Sequence, residues 1–225
     1  MTKKLRNTIA LIRHGKIDKL LDAAAWNVPR WFFYYNHSKL LMSDNPVWNS
    51  QYFPDYTYRF VKQDDIQVLA RDGFTDEKIV SRLEASDRGI LMEKDGEVMS
   101  IIWGGRGKKF LQLSGAIFET SDDGFFLYGG YTNEKERLKG LFYSVTKYIY
   151  DIYSREGHGR VWCAVNATSG EWLEKWVTKM NFRAMGETYY FRFLFFNVCY
   201  YKFWPYPTSK IHLFFRNPPG NLKCV

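Results

Sequence analysis

The chain has 225 residues, 46% of them hydrophobic and 19% aromatic, and a net charge of +8. That length supports one well-buried core with extensions, and no apolar run approaches the about 20 residues needed to cross a bilayer. The apolar piece at residues 9–12 is too brief for a secretory signal core, and three cysteines without metal-ligand spacing (Cys163, Cys199, Cys224) read as reduced thiols. A soluble, cytoplasmic, metal-free protein is expected.

The positive charge sits in the flanks. Residues 1–40 hold eight Lys/Arg against two Asp, and residues 202–225 hold four Lys/Arg and no acid, which leaves the middle slightly acidic. The same flanks carry Trp26, Trp31, Phe32, Phe33, Tyr34, Tyr35, Phe203, Trp204, Tyr206, Phe214 and Phe215. Basic charge interleaved with aromatics suits a membrane surface or an acidic protein partner, or aromatics packed on the central domain under a wet, charged exterior. No nucleic-acid reader motif accompanies it, so nucleic acid is not an expected partner.

In chain order, residues 1–55 read as an N-terminal extension with a helix from Lys16 to about Trp26, interrupted by Pro29, Pro46 and Pro54. Residues 56–197 read as the folded domain, and residues 198–225 as a basic, aromatic tail. Tyr58, Arg59, Phe60 and Val61 alternate as a strand. Asp64-Asp65 can cap a helix carrying Ile66, Leu69 and Ala70, and Thr75-Asp76 another carrying Ile79, Val80 and Leu83. Asp95-Gly96 between two apolar runs predicts a hairpin. Residues 110–120 read as a further strand, and Asp122-Asp123-Gly124 as the turn into a strand at residues 125–132. After it, Arg137-Leu138-Lys139-Gly140-Leu141-Phe142 opens a helix. A strand at residues 160–165 meets Asn166 and a helix ending near Asn181-Phe182, with Trp172 and Trp176 one turn apart on it. Strands at residues 184–187 and 189–196 close the pattern. The sum is an α+β plan with a mixed sheet and helices on its faces.

A strand that ends in a basic, glycine-containing turn and continues as a helix presents free backbone N–H groups to an anion, with pyrophosphate the usual guest. The order of elements, with Arg137-x-x-Gly140 between strand and helix, resembles the GNAT superfamily of acyl-CoA-dependent N-acyltransferases over about 140 residues. The resemblance implies a GNAT-like, mainly antiparallel mixed sheet flanked by helices. It also implies acetyl-CoA or another acyl-CoA as co-substrate, and transfer of the acyl group to a primary amine of a small metabolite or glycan precursor. Arg137, Leu138, Lys139, Gly140, Leu141 and Phe142 would cradle the pyrophosphate. Gly129-Gly130 would form the bulge that splays two strands. Backbone N–H groups near Tyr131 and Thr132 would face the thioester carbonyl. Asn166 matches an asparagine frequent in the family.

The motif's sixth position is Phe142 rather than a small residue. The family's tyrosine acid is absent, since counting from either side of the last helix places Val177 or Leu173 there. Glu119 is the nearest candidate base, and Tyr128 or Tyr131 the candidate acid. Missing acid and base positions leave a non-catalytic, GNAT-shaped binding module open, because amine attack also proceeds through ordered water and positioning. The basic flanks leave an acyl carrier protein open as donor. A remote alternative is Arg13-His14-Gly15, which resembles the signature of histidine phosphatases and would imply a doubly wound α/β scaffold. The acceptor amine and the oligomeric state are not written in the sequence.

Overall fold

The computed structural model describes residues 21, 33–48, 50–71, 76–111, 116–167, 179–193, 196–203 and 209–215. Their elements run β1 (Phe33–Ser43), β2 (Thr57–Phe60), α1 (Ile66–Arg71), α2 (Asp76–Glu84), β3 (Arg88–Lys94), β4 (Glu97–Gly105), β5 (Lys108–Leu111), β6 (Ala116–Glu119) and β7 (Gly124–Thr132). There follow α3 (Leu141–Arg155), β8 (Arg160–Asn166), β9 (Arg183–Phe193), β10 (Phe196–Phe203) and β11 (Ser209–Phe215). Short 3-10 turns precede α1 at Gln63–Asp65 and follow β7 at Glu134–Glu136.

Nine strands form one sheet in the order β11-β10-β9-β1-β8-β7-β4-β3-β2, and β5 and β6 pair separately. β7 and β8 are parallel; the other described pairings in that sheet are antiparallel. The architecture is α+β with a mixed, mainly antiparallel sheet, as the sequence implied.

Local chemistry accounts for the elements near the cleft. Asp95 and Gly96 both hold positive φ (52° and 78°), the paired left-handed geometry of a tight hairpin turn joining β3 to β4. In α3, Leu141, Val145, Ile149 and Tyr153 recur every four residues and are all buried. They meet Ile90, Met92, Ile102, Phe125, Leu127, Val161 and Cys163 of the sheet. On the opposite face, Leu69 of α1 and Ile79 of α2 cover Leu91, Ile101 and Trp103. The sheet is thus sandwiched, with α3 on one side and α1 and α2 on the other.

Three expectations change. The stretch set aside as an N-terminal extension contains β1, which lies inside the sheet between β8 and β9. The expected C-terminal tail contributes most of β10 and all of β11 to the same sheet. The single strand expected at residues 110–120 is the two-stranded pair β5 and β6, registered from Lys108 opposite Glu119 to Leu111 opposite Ala116. The helix expected from Lys16, the Arg13-His14-Gly15 motif, and Trp172 and Trp176 lie outside the described residues.

Candidate functional site

β7 and β8 pair only from Gly124 opposite Arg160 to Leu127 opposite Cys163. Beyond that point the two strands separate, so Tyr128 to Thr132 on one side and Ala164 to Asn166 on the other border a wedge-shaped cleft. The separation has a local cause. Against β4, Tyr128 faces Trp103 and Tyr131 faces Ile101, so Gly129 and Gly130 together oppose Ile102. Two residues against one is a β-bulge, which bends its strand. Gly129 holds φ +59°, a conformation side chains disfavour. Past the bulge, Ser100 anchors β7: its hydroxyl donates to the Tyr131 carbonyl at 2.9 Å and lies 3.0 Å from the Thr132 hydroxyl.

The turn ahead of α3 follows directly. Gly140 is the residue at the helix start, with φ +86° and no side-chain hydrogen bond capping it. A Cβ there would meet nothing nearer than Phe53 at 3.9 Å, so the backbone is open to close approach. The first N–H groups of a helix lack intrahelical partners and carry partial positive charge, which suits a phosphate. Leu138, also left-handed at φ +69°, is fully exposed on the same turn.

Two of the expected cationic partners are engaged locally. Arg137 lies 3.3 Å from Glu134, and Lys139 lies 2.9 Å from Glu136. Tyr56 also donates to Glu136, at 3.2 Å. The hydrogen bond from Lys139 holds the Glu136 carboxyl below its ordinary value. The carboxylates neutralise part of the charge expected of the cradle, and backbone geometry carries more of the site than side-chain charge.

Phe142, the departure at the motif's sixth position, is accommodated by the bulge. A Cβ on Gly130 would lie 2.5 Å from the Phe142 ring and 3.2 Å from Ile102. The missing side chain at position 130 is what lets the ring lie against β7. Bulk gained on the helix is matched by bulk absent from the strand.

The expected acid and base residues occupy other roles. Glu119 closes β6, is exposed, and pairs with Lys108 at 4.0 Å. Its neighbour Phe118 packs on Phe126 and Trp162, which places Glu119 by the closed end of β7. The strand rises about 3.3 Å per residue, so Tyr131 and Thr132, past the bulge from Phe126, lie well over 10 Å further along. Glu119 therefore lies apart from the Tyr131–Thr132 end of the cleft. Tyr128 donates its hydroxyl to Asp87, whose other carboxylate oxygen pairs with buried Lys109. Burial and the Asp87 carboxylate push the Tyr128 hydroxyl far above its ordinary value. A proton held that firmly is a poor general acid at neutral pH. Tyr131 packs with the core on the α1–α2 face. Asn166 closes β8 at the cleft edge, half-buried and opposite Ser38 of β1.

Sequence reasoning missed Arg82. Its guanidinium lies against Gly129, where a Cβ would come within 2.8 Å, and about midway between the Trp103 and Tyr128 rings at 5.1 and 5.0 Å. Burial lowers its pKa. It also missed Phe53 and Tyr56 beside the α3 start, and Asp87 and Lys109. A pair such as Asp87 and Lys109 leaves no periodic trace, and only the hairpin formed by β5 and β6 brings them together.

No protein-family model matches the sequence, and no curated protein matches it either. Solved structures do match in shape. A protein assigned as a GNAT-family acetyltransferase from Novosphingobium aromaticivorans superposes with a TM-score of 0.52 at 10% identity, over 69% of this chain and 62% of that one. A GCN5-related N-acetyltransferase from Sphaerobacter thermophilus gives 0.52 at 11% identity, over 83% and 67%. A Drosophila protein gives 0.52 at 10%, over 80% and 56%. The fold is that of the GNAT acyltransferases. The match spans about three fifths of the length of most of these proteins. A GNAT sheet with one parallel pair is not the doubly wound scaffold that the histidine-phosphatase resemblance implied. Among the described residues, no group of three or more His, Cys, Asp or Glu converges to hold a metal. No described helix is long and apolar enough to cross a membrane.

Proposed function

We propose that this protein is an N-acyltransferase that moves an acyl group, with acetyl the simplest case, from a coenzyme A thioester to a primary amine of a small metabolite or glycan precursor. The observation that carries the reading is the cleft opened by the Gly129–Gly130 bulge beside an uncapped helix start at Gly140. The donor fits what is there. Backbone N–H groups of Leu141, Phe142 and the residue after them face the pyrophosphate, with Arg137 and Lys139 near enough to exchange their carboxylate partners for it. The cleft edge of β7 at Tyr131 and Thr132 offers backbone groups to the extended arm. The thioester supplies an activated acyl carbon; the chain's own work is to hold and orient it.

Positioning dominates over acid–base chemistry in this reading. Glu119 is distant and Tyr128 is committed to Asp87, so the amine proton leaves through water in the cleft, and the thiolate is protonated from solvent. The same two facts favour a second reading, a GNAT-shaped module that binds coenzyme A without turnover. An acyl carrier protein as donor belongs with the basic flanks.

Calorimetric titration with acetyl-CoA, paired with mass-spectrometric turnover against a panel of amines, tests the assignment. Gly140→Asp places a carboxylate where the pyrophosphate would lie and is expected to weaken acetyl-CoA binding by at least about tenfold. Unchanged affinity in a folded Gly140→Asp variant would falsify the cradle.

A further inference from the structure

The fork where β7 leaves β8 is braced from the α1–α2 face by one side chain. Leu127 opposite Cys163 is the last pair of the two strands, and Gly129 follows two residues on. Arg82 of α2 covers that glycine. A Cβ on Gly129 would stand 2.8, 3.0 and 3.1 Å from the two terminal nitrogens and the central carbon of the guanidinium. Gly129 therefore lacks a side chain for two reasons: its φ of +59° disfavours one, and Arg82 occupies the space.

Arg82 is itself held in place. Trp103 and Tyr128 are directly opposed on β4 and β7, so their side chains share a face. The guanidinium carbon lies 5.1 and 5.0 Å from their rings, a slot that suits a planar cation. Each wall is fixed in turn. Trp103 is fully buried with Leu69 and Ile79, and Gly89 keeps clear the space against its ring, where a Cβ would come within 3.0 Å. Tyr128 is tied through its hydroxyl to Asp87, whose other oxygen Lys109 of β5 grips. The buried Asp87–Lys109 pair, which the acyl-transfer reading leaves without a task, thus ends its chain of contacts at the bulge.

The bulge sets the direction of the strand beyond it. The Asn133 N–H donates to the Met99 carbonyl of β4 at 2.9 Å. N–H groups alternate sides along a strand, so the Thr132 N–H points away from β4 and into the cleft. We propose that Arg82 is a positioning residue: its clamped guanidinium holds Gly129 in the left-handed bend, and the bend aims the Thr132 N–H at the thioester carbonyl of the donor. The proposal rests on the acyltransferase reading above. It gives a site without a placed acid or base another source of rate, since a donor aimed at the carbonyl oxygen gains strength as that oxygen takes on negative charge. The plane of the group matters more than its charge, because it must fill the slot between two rings and lie over Gly129.

The test needs the donor alone and no acceptor. Acetyl-CoA isotopically labelled at the thioester carbonyl is bound to the full chain, and infrared difference spectra read the carbonyl band. The wild-type band is expected below its frequency in buffer, because an aimed hydrogen bond weakens the C=O bond. Arg82→Ala returns the band toward the free position, while acetyl-CoA affinity falls by no more than about tenfold, the size of one lost hydrogen bond. Guanidinium ion at millimolar concentration refills the slot and restores the displaced band; methylammonium, a cation without the plane, does not. Arg82→Lys keeps the charge and loses the plane, so it follows Arg82→Ala and supplies the reading should the alanine variant fold poorly. A wild-type band at the free position, a displaced band retained in Arg82→Lys, no restoration by guanidinium, or affinity lost well beyond that factor overturns this inference alone. Failure of the wild type to bind acetyl-CoA removes the parent reading and this one with it.

Discussion

Arg59 joins three elements through one guanidinium. It sits on β2, pairs with Asp65 at the start of α1 through contacts of 2.7 and 2.8 Å, and pairs with Glu93 of β3 at 2.7 Å. Asp65 also accepts from the Lys62 backbone at 2.7 Å, which caps the turn leading into α1. The Arg59 hydrogen bonds are the largest influence on the Asp65 carboxyl and hold it below the ordinary carboxylate value. A folded-state pKa below the unfolded one means that the unfolded chain takes up the proton first. The contribution is then complete above the unfolded value, about 3.9, and is lost as pH falls through the folded value. Urea midpoints measured between about pH 6 and about pH 3 should therefore fall more steeply for the wild type than for Asp65→Asn. Parallel curves for the two proteins would remove Asp65 from the account. Little of this was legible beforehand. Asp65 announced itself as a helix cap, but its partners lie on two different strands, and sequence spacing carries no record of them.

Between elements, the contact of α3 with the β7 bulge sets the shape of the cleft. Gly130→Ala adds a methyl where the Phe142 ring and Ile102 already stand. Overpacking of this kind costs about 1–3 kcal/mol, and the first turn of α3 must shift to relieve it. The expected result is a lower melting temperature together with weaker acetyl-CoA binding. Phe142→Ala in the same chain should restore much of both, so the pair is non-additive in a double-mutant cycle. Additive losses would show that the ring and the glycine do not share one space. Here the sequence was informative in part. The family resemblance pointed to a bulge at Gly129-Gly130, and Asp95-Gly96 signalled a hairpin. The reason a phenylalanine is tolerated at the sixth position of the turn was not visible. It depends on what β7 lacks, and an absent side chain is read only when two elements are seen together. Glu119 and Tyr128 were assigned from chain proximity to the cleft strand. The direction of β7 sets the first beside the closed end of that strand, and Asp87, delivered by the loop after α2, engages the second.

At the scale of the whole molecule, β1 decides whether there is a sheet. It provides the partner edge for β8 on one side and for β9 on the other. Removing residues 1–50 should leave β8 and β9 without a shared neighbour, and the truncated chain is expected to be unfolded or aggregated by circular dichroism and size-exclusion chromatography. A soluble truncation with native far-ultraviolet dichroism would show that β8 and β9 close the gap by themselves. The strand escaped sequence reading for a physical reason. It is buried on both faces, so it shows no polar–apolar alternation, and Asn36, His37, Ser38 and Lys39 interrupt the apolar run that would otherwise mark a central strand. His37 stacks on Tyr189 of β9 at 4.1 Å, far away in sequence, and Asn36 donates to Ser38 within β1 itself.

That placement also sets a timetable for biosynthesis. Met42 pairs with Trp162 and with Arg183, so a segment made early is gripped by segments made late. At synthesis rates of about 5–20 residues per second, the nascent chain carries it with both hydrogen-bonding edges vacant for roughly 6–24 s, until β8 is made. Leu40, Leu41 and Met42, buried in the finished protein, remain available to stray partners throughout that interval. Long-range closure of this kind is slow, and the middle of the sheet closes late, once β9 has left the ribosome, with β10 and β11 still to be added at its edge.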